Sequence, residues 1–139
     1  MISLASARAL RDAGLRWTPV SGDRFVMLQV GMEEDVFTIS EMTIEAHQFP
    51  TGTVLGFNGT TEWALDSVAQ DDALWLPRED QLRELLGRSF RSLARSTDGG
   101  YQVLAELPGQ PERVFSAVDA TEAYAQAVLA LISAAVDRV

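Results

Sequence analysis

Glu45 and His47 stand two residues apart in the alternating segment Thr43-Ile44-Glu45-Ala46-His47. A β-strand there projects both positions from one face. One imidazole with carboxylates from Glu33, Glu34 or Asp35 is acceptable chemistry for a divalent cation. The same pair would serve a small metal- or carboxylate-dependent enzyme, and that is the alternative reading of the chain. The outer face of an antiparallel sheet is ordinarily polar in any case. The primary reading therefore assigns no catalytic residue, no metal ligand and no cofactor.

Residue types that are missing narrow the chemistry further. The chain has no Cys, one His and eleven basic residues, all Arg. Disulfides, thiol nucleophiles and thiolate metal sites are impossible, and paired-His zinc motifs cannot form within one chain. Without Lys there is neither a P-loop of the usual form nor a Schiff base. A hydrolase triad would have to use His47 as its base, and no Ser sits in a nucleophile-elbow pattern. The alternating Asp and Gly of an EF-hand loop are also missing. Twenty acids make chance carboxylate pairs easy, and none stands out for glycoside hydrolysis.

Charge is distributed unevenly. Between Arg24 and Arg78 there is no Arg or Lys, but there are nine acids: Glu33, Glu34, Asp35, Glu41, Glu45, Glu62, Asp66, Asp71 and Asp72. The net charge is −9, so this stretch accounts for all of it. A negative field favours basic partners and repels nucleic acid. Trp63 and Trp75 bracket Asp66, Asp71 and Asp72, and aromatic anchors beside charge are common at interfaces; the competing reading places the tryptophans in the core. The expected function is a non-enzymatic protein-binding domain acting through an acidic surface. Its candidate binding residues are Trp63, Asp66, Asp71, Asp72 and Trp75. The expected partner is another, basic protein. Arg88, Arg91 and Arg95 fall at helical spacing, so an acidic and an Arg-bearing face could also meet in a homo-oligomer. The bland account of those arginines is a solvated face with pairs such as Glu79–Arg83 and Glu84–Arg88.

The elements that must position these groups read as α+β. At 139 residues and 47% apolar content, one domain with its own core is expected. Ser3 caps a first helix that Gly14 stops. Thr18 to Asp23 is a loop. Strands follow at 25–30, 36–39, 43–47 and 54–57, with a turn over 49–53. A short helix is expected over 62–68, and a longer one from Pro77 to about Ala94, its apolar face formed by Leu82, Leu85, Leu86, Phe90 and Leu93. Residues 101–107 and 113–118 form a hairpin. Asp119 and Glu122 open a last helix with a stripe of Tyr124, Ala127, Val128, Leu131, Ile132 and Ala135. The order is α-β-β-β-β-α-α-β-β-α, and its short links favour an antiparallel sheet. No apolar run approaches the roughly 18 residues of a membrane helix, and the N-terminus lacks secretory features. The expected location is the cytoplasm, with no membrane or nucleic-acid partner.

The segments 2–10, 57–68 and 75–87 together resemble a group of uncharacterised actinobacterial proteins of similar length, and the likeness covers most of the chain. Some members of that group carry a pilus-assembly label. The label belongs to ATPases that depend on a P-loop Lys, so the resemblance implies no ATPase activity for a chain without Lys. What it implies is at most an association with such a system.

Overall fold

The computed structural model describes residues 1–28, 31, 35–40, 45–49, 52–56, 67–69 and 72–137, with the strands between 45 and 69 described by backbone alone. The class is α+β. Among the described residues there are three α-helices, α1 (Leu4–Ala13), α2 (Glu79–Leu86) and α3 (Ala120–Asp137). Nine strands accompany them: β1 (Arg24–Met27), β2 (Val36–Thr38), β3 (Glu45–Phe49), β4 (Gly52–Gly56), β5 (Ser67–Ala69), β6 (Ala73–Leu76), β7 (Phe90–Arg95), β8 (Tyr101–Ala105) and β9 (Arg113–Ala117). They form three antiparallel three-stranded sheets, ordered β2-β1-β6, β3-β4-β5 and β7-β8-β9. Chain contacts divide the protein into two compact units: Met1–Arg16 with Pro77–Val139, and Trp17–Leu76.

The first unit is assembled around α3. α1 and α2 pack against this helix, and so do β8 and β9. With neighbours on several sides, α3 buries Ala123, Tyr124, Ala125, Ala127 and Val128. Leu131 and Ile132 of its expected stripe are half-buried, and Ala135 is exposed. α1 contributes Ala7 and Leu10, and the sheet contributes Val103, Ala105 and Phe115. Burying each Val, Leu or Phe side chain stabilises the fold by roughly 1.5–3 kcal/mol relative to leaving it in water, and each Ala methyl by roughly 0.8 kcal/mol. Ser3 caps α1 as expected, accepting from the Ser6 amide, and Gly14 ends it at φ 117°. Asp119 likewise accepts from the Glu122 amide at 2.9 Å.

The Glu122 side chain does not complete a local capping box. It reaches α1, where Oε1 accepts from the Ser3 amide and Oε2 from the Ser6 hydroxyl, both at 2.6 Å. Burial alone would raise this carboxyl's pKa. The Ser6 and Ser3 hydrogen bonds outweigh it and hold the group below its ordinary value.

Three expected elements are corrected. The long central helix ends at Leu86, passes through a 3-10 turn at Gly87–Ser89 and becomes β7. Gly87 has φ 53° and ψ −124°, a conformation that L side chains avoid, and its amide bonds back to the Arg83 and Glu84 carbonyls. Beyond it, pairing with β8 prevails over helical spacing, with a register irregularity between Phe90 and Ser92. Only Leu82 and Leu86 of the expected helical face are buried on α2, and Leu85 is exposed. The expected start of that helix also moves. Leu76 ends β6, Pro77 is buried before the helix, and Arg78 is the cap residue. Finally, Ser67 and Val68, read as the end of a short helix, lie in β5 paired with β4; residues 62–66 of that helix lie outside the described residues. The expected turn over 49–53 is also narrower, since β3 runs through Phe49 and β4 starts at Gly52.

The 17–76 unit contains the other two sheets. β1 is the centre of its sheet and buries Phe25, Val26 and Met27 on both faces. Its pairing with β6 joins segments about fifty residues apart in sequence, a closure that local patterns do not announce. Phe25, Met27, Ile39 and Ala73 form a core cluster, with Trp17 packed against it. Asp23 ties the preceding loop down. It is buried at 1% exposure, and its Oδ2 accepts from Trp17 Nε1 at 2.9 Å and from the Val20 amide at 3.0 Å.

Candidate functional site

Antiparallel register aligns Phe37, Phe25 and Trp75 in one row across β2, β1 and β6. The Phe25 and Phe37 rings lie 5.5 Å apart. Trp17 sits over this row, 5.6 Å from Phe25 and stacked at 6.4 Å and 8° on Trp75. Offset aromatic stacking of this kind contributes about 0.5–1.5 kcal/mol per pair beyond area burial. Trp75 is half-buried, stacked on Trp17 within the unit's own aromatic packing. Its Nε1 is a buried donor with no acceptor, the one such side-chain atom among the described residues.

The row reaches solvent at β2, a strand at the edge of its described sheet. All three of its residues are exposed, including Val36 and Phe37. Met27 pairs with Ala73, and Val26 with Val36. Asp72 and Asp35, which precede Ala73 and Val36, consequently flank the same end of the sheet. The Asp72 carbonyl is fixed there by the Leu28 amide at 2.7 Å, and both Asp residues are exposed. Of the candidate binding residues, Asp72 and Trp75 are thus placed; Trp63, Asp66 and Asp71 lie outside the described residues. β3 carries positions 45 and 47, but the side chains of Glu45 and His47 lie outside them too. Among the described residues no cluster of His, Asp and Glu has the makings of a metal site.

The 77–139 unit holds a feature the sequence reading did not single out. Glu79, Asp80, Arg83, Glu84, Gly87, Phe90, Ser92, Leu93 and Tyr124 line an open cleft of about 940 Å³. The expected Glu79–Arg83 and Glu84–Arg88 pairs do not form. The Arg83 guanidinium instead lies over the Phe90 ring, 4.8 Å from its centroid. Phe90 in turn meets Tyr124 at 5.7 Å. Asp80 is engaged by Arg78 at 3.1 Å, and that hydrogen bond lowers its pKa. Burial raises the Tyr124 phenol, with Arg83 opposing and Glu79 reinforcing the shift. The expected Arg face of a long helix is dispersed: Arg88 lies in the 3-10 turn, while Arg91 and Arg95 lie in β7, Arg91 paired with Glu106 at 2.9 Å. Tyr124 keeps its expected place in the buried stripe of α3, whereas Phe90, expected on a helical face, is half-buried at the start of β7, beyond the turn at Gly87.

No protein-family model, curated protein or solved structure matches this chain. No helix among the described residues is long and apolar enough to cross a membrane.

Proposed function

We propose that the chain is a non-enzymatic protein-binding module whose 17–76 unit captures an extended, basic segment of another protein along the edge of β2. One observation carries this reading: the exposed strand Val36-Phe37-Thr38, at the edge of its sheet among the described residues, has Asp35 and Asp72 at one end of that sheet. An edge strand without Lys, Pro or a bulge is an open template for strand addition. The unit around it has ten carboxylates and a single basic residue other than His, Arg24. Backbone pairing would supply affinity, Phe37 an apolar contact, and the carboxylates a preference for Arg or Lys.

A test compares a ten-residue peptide of alternating Arg and Val with its Glu-for-Arg counterpart by calorimetry. The basic peptide should bind, the acidic one should not, and the affinity should fall with salt. Changing Asp35 and Asp72 together to Asn should weaken capture roughly tenfold, the scale of two partly screened charge contacts. Equal binding of both peptides, or capture indifferent to the double substitution, would reject the reading.

A further inference from the structure

β7 is itself an edge strand, and its charge is opposite to that beside β2. Among the described residues it lies at the border of its sheet, and every residue from Arg91 to Arg95 is exposed. The segment Phe90-Arg91-Ser92-Leu93-Ala94-Arg95 holds two Arg and no acid. Glu106 engages Arg91, whereas Arg95 has no ion pair among the described residues. The irregularity of register falls between Phe90 and Ser92, so Ser92 to Arg95 pair regularly with β8. β7 is thus a basic segment, already extended, with one edge unpaired. That is the kind of segment strand addition to β2 calls for.

Laid antiparallel along β2, these residues match its side chains one by one. Leu93 set opposite Phe37 joins two exposed apolar residues, 37% and 38% accessible. Ala94 then faces Val36, and Ser92 faces Thr38. One residue beyond β2, Arg95 faces Asp35, which is also exposed. Apolar, hydroxyl and opposite-charge pairs are each favourable across strands. Alternation puts the Leu93–Phe37 and Arg95–Asp35 pairs on one face. Self-pairing of either edge is worse. β7 against β7, centred on Leu93, brings Arg91 against Arg95. β2 against β2 joins two units that each carry a net charge of −9. β9, at the other border of the β7 sheet, offers less, because Phe115 is buried and Arg113 lies over its ring.

We infer that the basic segment taken by β2 is β7 of a second copy of this chain, an assignment that rests on the strand-addition reading of β2. The contact is heterologous. Each copy offers one β7 and one β2, so copies join head to tail.

Sedimentation of the full chain should show association that grows with protein concentration and weakens with added salt. Arg95→Asp and Asp35→Arg each place like charges at the contact, and each should weaken association at least about tenfold. Both positions are exposed, so neither substitution disturbs a core. Mixed in equal amounts, the two variants should associate as the parent does, because every contact between unlike chains again joins opposite charges. An excess of the alternating Arg and Val peptide should disperse the parent assembly by occupying β2. A chain that stays monomeric yet binds that peptide overturns this inference and leaves the β2 reading standing; failure to bind the peptide overturns both. Single variants that associate like the parent, a mixture that does not recover, or an assembly indifferent to the peptide would likewise reject β7 as the occupant.

Discussion

Glu122 serves two helices at once. Its own amide is capped by Asp119, while its carboxylate accepts from the first turn of α1 through Ser3 and Ser6. A negative group is favourable at the positive end of each helix. Because the folded protein holds this carboxyl below its ordinary value near 4.5, its contribution is fully present above that pH. It is lost as the pH falls through the depressed folded value. Glu122→Gln should cost about 1 kcal/mol at neutral pH, after allowing for solvent screening of a partly exposed group. It should also flatten the stability decline on the acid side of pH 4.5, as read by urea unfolding at several pH values. A variant equal to the parent at pH 7 would mean the two hydrogen bonds contribute nothing net. Asp23 stands at the other extreme of burial. Asp23→Ala strips the acceptor from Trp17 Nε1 and the Val20 amide, and should cost about 3 kcal/mol through two unsatisfied donors. Trp17 fluorescence during urea unfolding would report the lower midpoint.

At the scale of elements, Gly87 decides more than any apolar stripe. Leu82, Leu85, Leu86, Phe90 and Leu93 recur at helical spacing, so the sequence reads as one helix across residues that belong to α2 and β7. What overrides the spacing is a backbone conformation at Gly87 that other residues avoid, together with a partner strand supplied by β8. Gly87→Ala should therefore destabilise the protein by about 1–3 kcal/mol. The loss should also appear in hydrogen exchange of the β7 amides; unchanged protection there would show that the strand needs no such turn. The same contrast explains what was legible. α1, the β8–β9 hairpin and the start of α3 are announced by local chemistry: Ser3 and Gly14, the Pro108-Gly109-Gln110-Pro111 loop, and Asp119. The β1–β6 pairing is nonlocal, and nothing near Arg24 or Ala73 indicates it. The site divides likewise. Asp72 and Trp75 could be named from residue type and charge, but their placement in one sheet with Phe37, across β1 from it, depends on register. The cleft of Arg83, Phe90 and Tyr124 depends on where a helix stops.

At the scale of the molecule, charge follows the division into compact units. Residues 17–76 carry ten carboxylates against Arg24 alone, whereas residues 1–16 with 77–139 carry ten carboxylates and ten Arg. One unit thus holds the entire net charge of −9, and the other is neutral. Like charges confined to one compact unit oppose its folding and are screened by salt, with a Debye length of about 10 Å at 0.1 M. Such self-repulsion is a cost that a basic ligand would relieve, as the binding role proposed for this unit requires. Raising NaCl from 20 to 500 mM should then increase exchange protection of the β1 and β6 amides by an amount on the order of 1 kcal/mol, while amides of β8 and α3 change little. The basic peptide at low salt should reproduce the rise at β1 and β6, because neutralising the carboxylates and screening them remove the same repulsion. An equal response in both units would show that the segregated charge is too widely spaced to act as one field. The acidic unit would then have no electrostatic reason to prefer a basic partner.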